Sequence, residues 1–278
     1  MNFNPLTENT YSQFGEDGLI DLIFKRIGTT NQRACEFGAH DGVTISNARK
    51  LILEGWDCVF IEPNPTHYTK LVRNYWNYPN VRCIKSFVEP TGKNKLSNIL
   101  DCYHLVQFKD LDFLSIDVDG IDYQIFETLD VKARLICIET NPLFPPEVEE
   151  VAPSRIANGF GQPLRPFVKL AKEKGYRFIA YTTNAFFLRE DIQGIEEIKD
   201  INQAYFDWLK WAAEDNQRRR EFLWLRSHGL FKRHHHYHNP YLTLDSLKLS
   251  ALPMIEKAFL RSNKLTNAFL NRVEKLVR

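Results

Sequence analysis

No stretch of the 278 residues reaches the roughly 18 consecutive apolar positions of a membrane-spanning helix. The start, Met1-Asn2-Phe3-Asn4-Pro5, carries neither the basic end nor the apolar run of a secretory signal. No membrane span is expected, and a cytoplasmic location is. An excess of either charge is missing as well: 36 basic residues face 35 acidic ones, for a net charge of +1. Without a global field, nucleic acid and anionic membranes are not expected partners. The five cysteines (Cys35, Cys58, Cys83, Cys102, Cys137) form no C-x-x-C pair and stand in or beside apolar runs, which excludes a disulfide framework and suits reduced core thiols. There is no internal repeat, and the full G-x-G-x-x-G of a dinucleotide site is missing.

What is present is enough apolar material, 44% of residues with 13% aromatic, for one full α/β core with additions. The chain is organised around Ala34-Cys35-Glu36-Phe37-Gly38-Ala39-His40-Asp41-Gly42. An apolar run ending on an acid, then two glycines four apart, reads as a strand and a tight turn into a helix. Glycine lets such a turn approach a ligand closely. Trp56 to Ile61 reads as a second buried strand, ending at Glu62 and stopped by Pro63. A carboxylate at that strand tip is placed to accept both hydroxyls of a ribose.

The remaining elements follow in order. A helix is expected across Tyr11 to Gly28 with Ser12 as N-cap, and further helices at Ser46 to Glu54 and Tyr68 to Tyr78. A third strand is expected at Val81 to Phe87, a short helix at Leu96 to His104, and strands at Leu111 to Ile116 and Arg134 to Ile138. Both of those strands end on acids, in Asp117-Val118-Asp119-Gly120-Ile121-Asp122 and Glu139-Thr140-Asn141-Pro142. Leu143 to Pro166, rich in proline and glycine, reads as a loop over the strand ends. A helix at Phe167 to Lys174 precedes Tyr176 to Tyr181 and Ala185 to Leu188, whose short connection permits only an antiparallel pair. Parallel strands ending in an antiparallel hairpin give the Rossmann-like sheet of class I methyltransferases. That domain is expected to cover residues 1–197, with a helical C-terminal extension over 198–278.

Glu36 stands where a pyrophosphate would be repelled, so the expected ligand is cationic or free of phosphate. S-adenosylmethionine has that chemistry, with a positive amino group and sulfonium and a ribose for Glu62. The extension holds Trp208 and Trp211, read as core or as a dimer face of a homo-oligomer. It also holds Arg218-Arg219-Arg220 and the run His234-His235-His236-Tyr237-His238. This basic segment reads as solvated, or as docking for a nucleotide- or lipid-linked anionic acceptor.

Five motifs in order carry a family resemblance: Tyr11-Ser12-Gln13-Phe14-Gly15-Glu16-Asp17-Gly18, the Glu36 to Gly42 loop, Ile61-Glu62-Pro63-Asn64-Pro65, Ser115-Ile116-Asp117-Val118-Asp119-Gly120 and Ile138-Glu139-Thr140-Asn141-Pro142. Together they resemble the FkbM-type S-adenosylmethionine-dependent methyltransferases over roughly the first two thirds of the chain, the scale of one domain. The resemblance implies O-methylation of a hydroxyl on a sugar, a glycan precursor or a glycosylated metabolite. It implies that Glu36, Gly38 and Ala39 hold the methionine part, that Glu62 holds the ribose and that Phe87 borders the adenine. Asp117 would face the cofactor amino group or the reaction centre, with Gln13 and Glu16 closing over it. Many members have Asp where this chain has Glu36.

Methyl transfer requires removal of the acceptor's proton, and three readings of the acids stand side by side. Asp117 and Asp119 with Glu139 and Asn141 bind Mg2+, which lowers the pKa of the hydroxyl; or His40 or Asp119 accepts the proton unaided; or Asp119 and Asp122 only cap the following helix. An N-acceptor on another small molecule, or a binding protein without turnover, are the alternative functions.

Overall fold

The computed structural model describes residues 9–142, 144, 146–151 and 161–214. Seven strands form one sheet: β1 (Arg33–Phe37), β2 (Asp57–Ile61), β3 (Val81–Ile84), β4 (Asp110–Ile116), β5 (Lys132–Glu139), β6 (Tyr176–Tyr181) and β7 (Asn184–Arg189). Their spatial order is β3-β2-β1-β4-β5-β7-β6. β1 pairs in parallel with β2 and β4, β2 with β3, and β4 with β5, while β7 runs antiparallel to both β5 and β6.

Alternate residues of each strand serve opposite layers, as a pleated sheet requires. Ala34, Cys58, Phe60, Phe113 and Leu135 pack under α1 (Glu16–Ile27), α2 (Arg49–Leu53) and α3 (Pro65–Tyr75). Cys35, Phe37, Val59, Leu114 and Ile136 pack on the other face. That layer is α4 (Leu96–Cys102), α5 (Asp122–Thr128), α6 (Leu164–Glu173) and α7 (Ile201–Glu214). From β1 the chain winds outward through β2 to β3, then crosses to β4 on the opposite side of β1. The order reverses between β1 and β4, and their carboxyl ends border the crevice where such sheets bind ligands.

Several boundaries differ from the sequence reading, each for a local reason. Helix α1 starts at Glu16 rather than near Ser12, because Gly15 has φ 87° and Ser12 is engaged otherwise. The Ser12 hydroxyl donates to Asp17 Oδ1 at 2.6 Å and accepts the Asp17 N–H at 3.1 Å. Helix α3 starts earlier, at Pro65, since the Asn64 side chain accepts from Thr66 N and His67 N, satisfying two first-turn donors. Helix α2 is shorter than expected because 46–48 bind a strand carboxylate instead. The hairpin folds back so that its second strand, β7, lies against β5 and its first, β6, forms the sheet edge.

Helix α7 begins just beyond residue 198, yet Tyr205, Phe206, Trp208 and Leu209 lie in the same core as the sheet. Trp208 meets Phe14 and Tyr181 edge-on, with centroids 5.9 and 5.7 Å apart. Trp208 is thus a core residue, and Trp211 packs against that core partly buried. Arg218 to Arg220, the histidine run 234–238 and the rest of the helical extension expected up to residue 278 lie outside the described residues. No helix among the described residues is long and apolar enough to cross a membrane.

Candidate functional site

The β1 turn is built by glycine, and close protein contacts require it. Gly38 has φ +76°, and a Cβ there would sit 1.5 Å from the Asp117 carbonyl oxygen; only glycine lets the turn pass the end of β4 so closely. At Gly42, φ +71°, a Cβ would fall 2.5 Å from Leu71 Cδ1 and 2.6 Å from Tyr75 Cε2. The turn's amides are used internally. Gly38 and Ala39 donate to Ile61 O, His40 to Glu62 Oε2, Gly42 to Ala39 O, and Val43 and Thr44 to Asp41 Oδ1. A loop that cradles phosphate turns such N–H groups outward, and this one does not.

Glu62, 5% exposed at the tip of β2, accepts from His40 N at 2.8 Å through Oε2 and from Asn64 N at 2.7 Å through Oε1. Each oxygen thus has one of its two acceptor directions filled. The clamp joins the β1 and β2 turns and fixes the carboxylate plane. His40 itself has φ 49°, with its ring 3.9 Å from that of His67 and Nδ1 3.6 Å from Asp41 Oδ1.

Glu36 is equally buried, at 5%, and its carboxylate is a post for the chain after the turn. Oε2 accepts from Ser46 Oγ at 2.9 Å and Ala48 N at 2.8 Å, and Oε1 accepts from Asn47 N at 3.3 Å. Burial pushes Glu36 up to about 7, against the pull of those donors. The Asn47 amide continues the network to Ser115 Oγ at 3.0 Å, joining β1 to β4.

Beyond β4 and β5 the acids gather. Ligand oxygens of Asp117, Asp119 and Glu139 all lie within 4.8 Å of one another. Asp117 and Glu139, half-buried, are hydrogen-bonded to each other, and both are pushed well above the usual carboxylate range, by burial first and then by neighbouring acids. Asp119 is exposed and left-handed at φ 56°. Asp122 serves the backbone instead. Its two oxygens accept from Val118 N and Gly120 N, both at 2.8 Å, closing the loop onto α5. Burial raises it to about 6.

The strip after β5 is held on several sides. Thr140 N and Oγ1 donate to Thr183 O at 3.1 and 2.9 Å, Asn141 N donates to Gln162 O at 2.8 Å, and the Tyr205 hydroxyl donates to Pro142 O at 2.7 Å. Glu16, fully buried, bridges the N-terminal segment to the β6–β7 turn. It accepts from Phe14 N at 2.8 Å and Thr182 Oγ1 at 2.6 Å, and burial raises its pKa.

The structure therefore brings Glu16, Glu36, Gly38, Ala39, His40, Glu62, Asp117, Asp119, Glu139 and Asn141 to one edge of the sheet. Gln13 lies half-buried ahead of α1, and Phe87 lies past the end of β3 with 67% exposure. Sequence reasoning did not find Ser46, Asn47, Thr182 or Tyr205 as supports. Thr182, Tyr205 and the Asn47 side chain meet Glu16, Pro142 and Ser115 from far along the chain, Ser46 meets Glu36 across the turn, and no spacing signals such pairs.

No protein-family model matches the chain, and no curated protein does. Solved structures do resemble it. The citrinin polyketide synthase CMeT domain has 13% identity over 63% of this chain and 51% of that one, with TM-score 0.41. The chain thus spans about half the length of that structure. The N-terminal domain of EvdMO1, determined in the presence of SAH and D-fucose, has 12% identity over 62% and 80%, with TM-score 0.40. A SAM-dependent methyltransferase from Aquifex aeolicus has 12% identity over 61% and 88%, with TM-score 0.37. The fold is a Rossmann-like α/β sheet, mostly parallel with an antiparallel end. Its assignment rests on the strand order, the single antiparallel strand and the two helical layers.

Proposed function

We propose that this chain is an S-adenosylmethionine-dependent methyltransferase of FkbM type, acting on a hydroxyl of a sugar, a glycan precursor or a glycosylated metabolite. The observation that carries the reading is Glu62: a buried carboxylate, clamped at the tip of β2, with one acceptor direction open on each oxygen. Two vicinal hydroxyls of a ribose match it, and the internally bonded amides of the β1 turn argue for a ligand without a pyrophosphate.

When bound, the cofactor supplies an electrophilic methyl on a sulfonium. The chain's own residues do the rest. Glu62 orients the nucleoside, and Asp117, beside Gly38 at the end of β4, faces the methionine side. Asp119, exposed and without a hydrogen bond among the described residues, takes the proton of the acceptor hydroxyl as the methyl is transferred in line. His40 is the weaker candidate base, because its ring is packed against His67. Asp122, committed to two backbone donors, shapes the loop and stays out of the chemistry.

One observation favours a second reading of the acids. Three carboxylates lie within 4.8 Å, and none forms a salt bridge among the described residues. Asp117, Asp119 or Asn141, and Glu139 would hold Mg2+ through oxygen, and the metal would lower the pKa of the hydroxyl. Labelled methyl transfer to a panel of sugars and nucleotide-sugars separates these ideas. The unassisted reading expects full activity in EDTA and a loss of about 100-fold or more in Asp119→Asn. Activity lost in EDTA and restored by Mg2+, with a rise in Tm on adding Mg2+ alone, would replace it by the metal reading. Tight cofactor binding without transfer to any acceptor would leave a binding protein.

A further inference from the structure

The loop between β1 and α2 holds a residue whose conformation core packing does not explain. Among the described residues, five non-glycine residues have positive φ, and Ile45, at φ 54°, is the one with a β-branched side chain. Left-handed backbone is unfavourable for such a residue and persists only where the surroundings impose it. Ile45 is also 54% exposed, so core packing does not compensate it.

Both flanks impose the conformation. On one side His40 N is fixed to Glu62, Asp41 accepts from Val43 N, Thr44 N and Thr44 Oγ1, and the Tyr75 hydroxyl donates to Gly42 O. On the other, Ser46, Asn47 and Ala48 are fastened to the buried Glu36. The segment runs from the carboxylate placed for the ribose to the carboxylate placed for the methionine part. The three donors to the Glu36 carboxylate all belong to this segment, so Glu36 acts through the loop it holds.

We propose that Ile45 is a cofactor-contacting residue: the loop presents its aliphatic side chain at the rim of the crevice to cover the methionine carbon chain of S-adenosylmethionine, and the same chain with its thioether in S-adenosylhomocysteine, with Glu36 as its positioning residue. This rests on the cofactor reading above. An aliphatic cover suits the uncharged carbon chain and sulfur of S-adenosylhomocysteine, whereas a polar residue there would leave them wet.

The test uses the full-length chain, S-adenosylhomocysteine titrated by calorimetry, and thermal unfolding. Ile45→Asn accepts left-handed backbone readily, so its Tm should rise by about 2–4 °C while the dissociation constant for S-adenosylhomocysteine rises about fivefold or more. Ile45→Val should keep the affinity within about twofold, since most of the apolar surface stays. Wild-type binding with unchanged affinity in Ile45→Asn would overturn the inference and leave the cofactor site standing. A fall in Tm together with affinity would also overturn it, by showing that Ile45 supports the fold. A wild-type chain that binds no S-adenosylhomocysteine would overturn the cofactor reading itself.

Discussion

Glu36 has been taken out of water and then given three hydrogen bonds, and the two effects oppose each other. Burial prevails, raising its pKa from the ordinary 4.5 to about 7. The folded chain therefore binds this proton more tightly than the unfolded chain does. Stability contributed at this position falls as pH rises from about 4.5 to about 7, by up to about 3 kcal/mol. Asp117, Glu139 and Glu16 act in the same direction. In Glu36→Gln, which cannot ionise, the free energy of unfolding in urea should vary less between pH 5 and pH 7.5 than in wild type. An equal pH dependence in both proteins would mean that Glu36 is ionised throughout. Glu62 differs in that its two donors are backbone amides of turns that the sheet already fixes.

Among the elements, α7 has the least expected role. Placed by sequence at the start of an extension, it contributes Trp208 and Leu209, both fully buried, to the core on one face of the sheet. Through Tyr205 it reaches the strip after β5, and the Arg165 side chain links it to the following loop by way of Asn202 Oδ1 at 2.8 Å and Pro146 O at 2.7 Å. We propose that α7 belongs to the folding unit of residues 9–197 and braces the acceptor side of the crevice. Tyr205→Phe removes one buried hydrogen bond and leaves the ring, costing about 1 kcal/mol. Hydrogen exchange over 139–142 should then quicken, with S-adenosylhomocysteine affinity unchanged. Unaltered exchange there would show that Thr183 and Gln162 suffice to hold the strip. A chain ending at residue 197 should not fold, because the pocket for Trp208 and Tyr205 would be left open.

For the whole molecule, the parts that depend on local pattern were legible in the sequence. β1, β2, β4 and β5 are buried on both faces and so appear as short apolar runs, and an acid stands at or next to each carboxyl end. Asn64 and Pro65 announce α3 in hindsight, since a cap and a proline at the first helical position are local signals. The place of β7 between β5 and β6 was not legible, because the hairpin turn is the same whichever strand meets the sheet. Nor were the contacts of Glu16 with Thr182 or Asn47 with Ser115, which the winding of the chain alone brings together. The sequence placed the glycines but not what stands against them inside the protein: Gly38 admits the Asp117 carbonyl, and Gly42 the Leu71 and Tyr75 side chains.

We propose a nucleoside site, governed by Glu62, in the crevice above β1, β2 and β4. It is tested most directly by calorimetric titration of the full-length chain with S-adenosylhomocysteine, repeated on Glu62→Ala. Saturable binding by wild type, weakened about 100-fold or more by the substitution while the fold persists by circular dichroism, is the predicted result. Absence of binding by the folded wild type, or equal binding by Glu62→Ala, would contradict it.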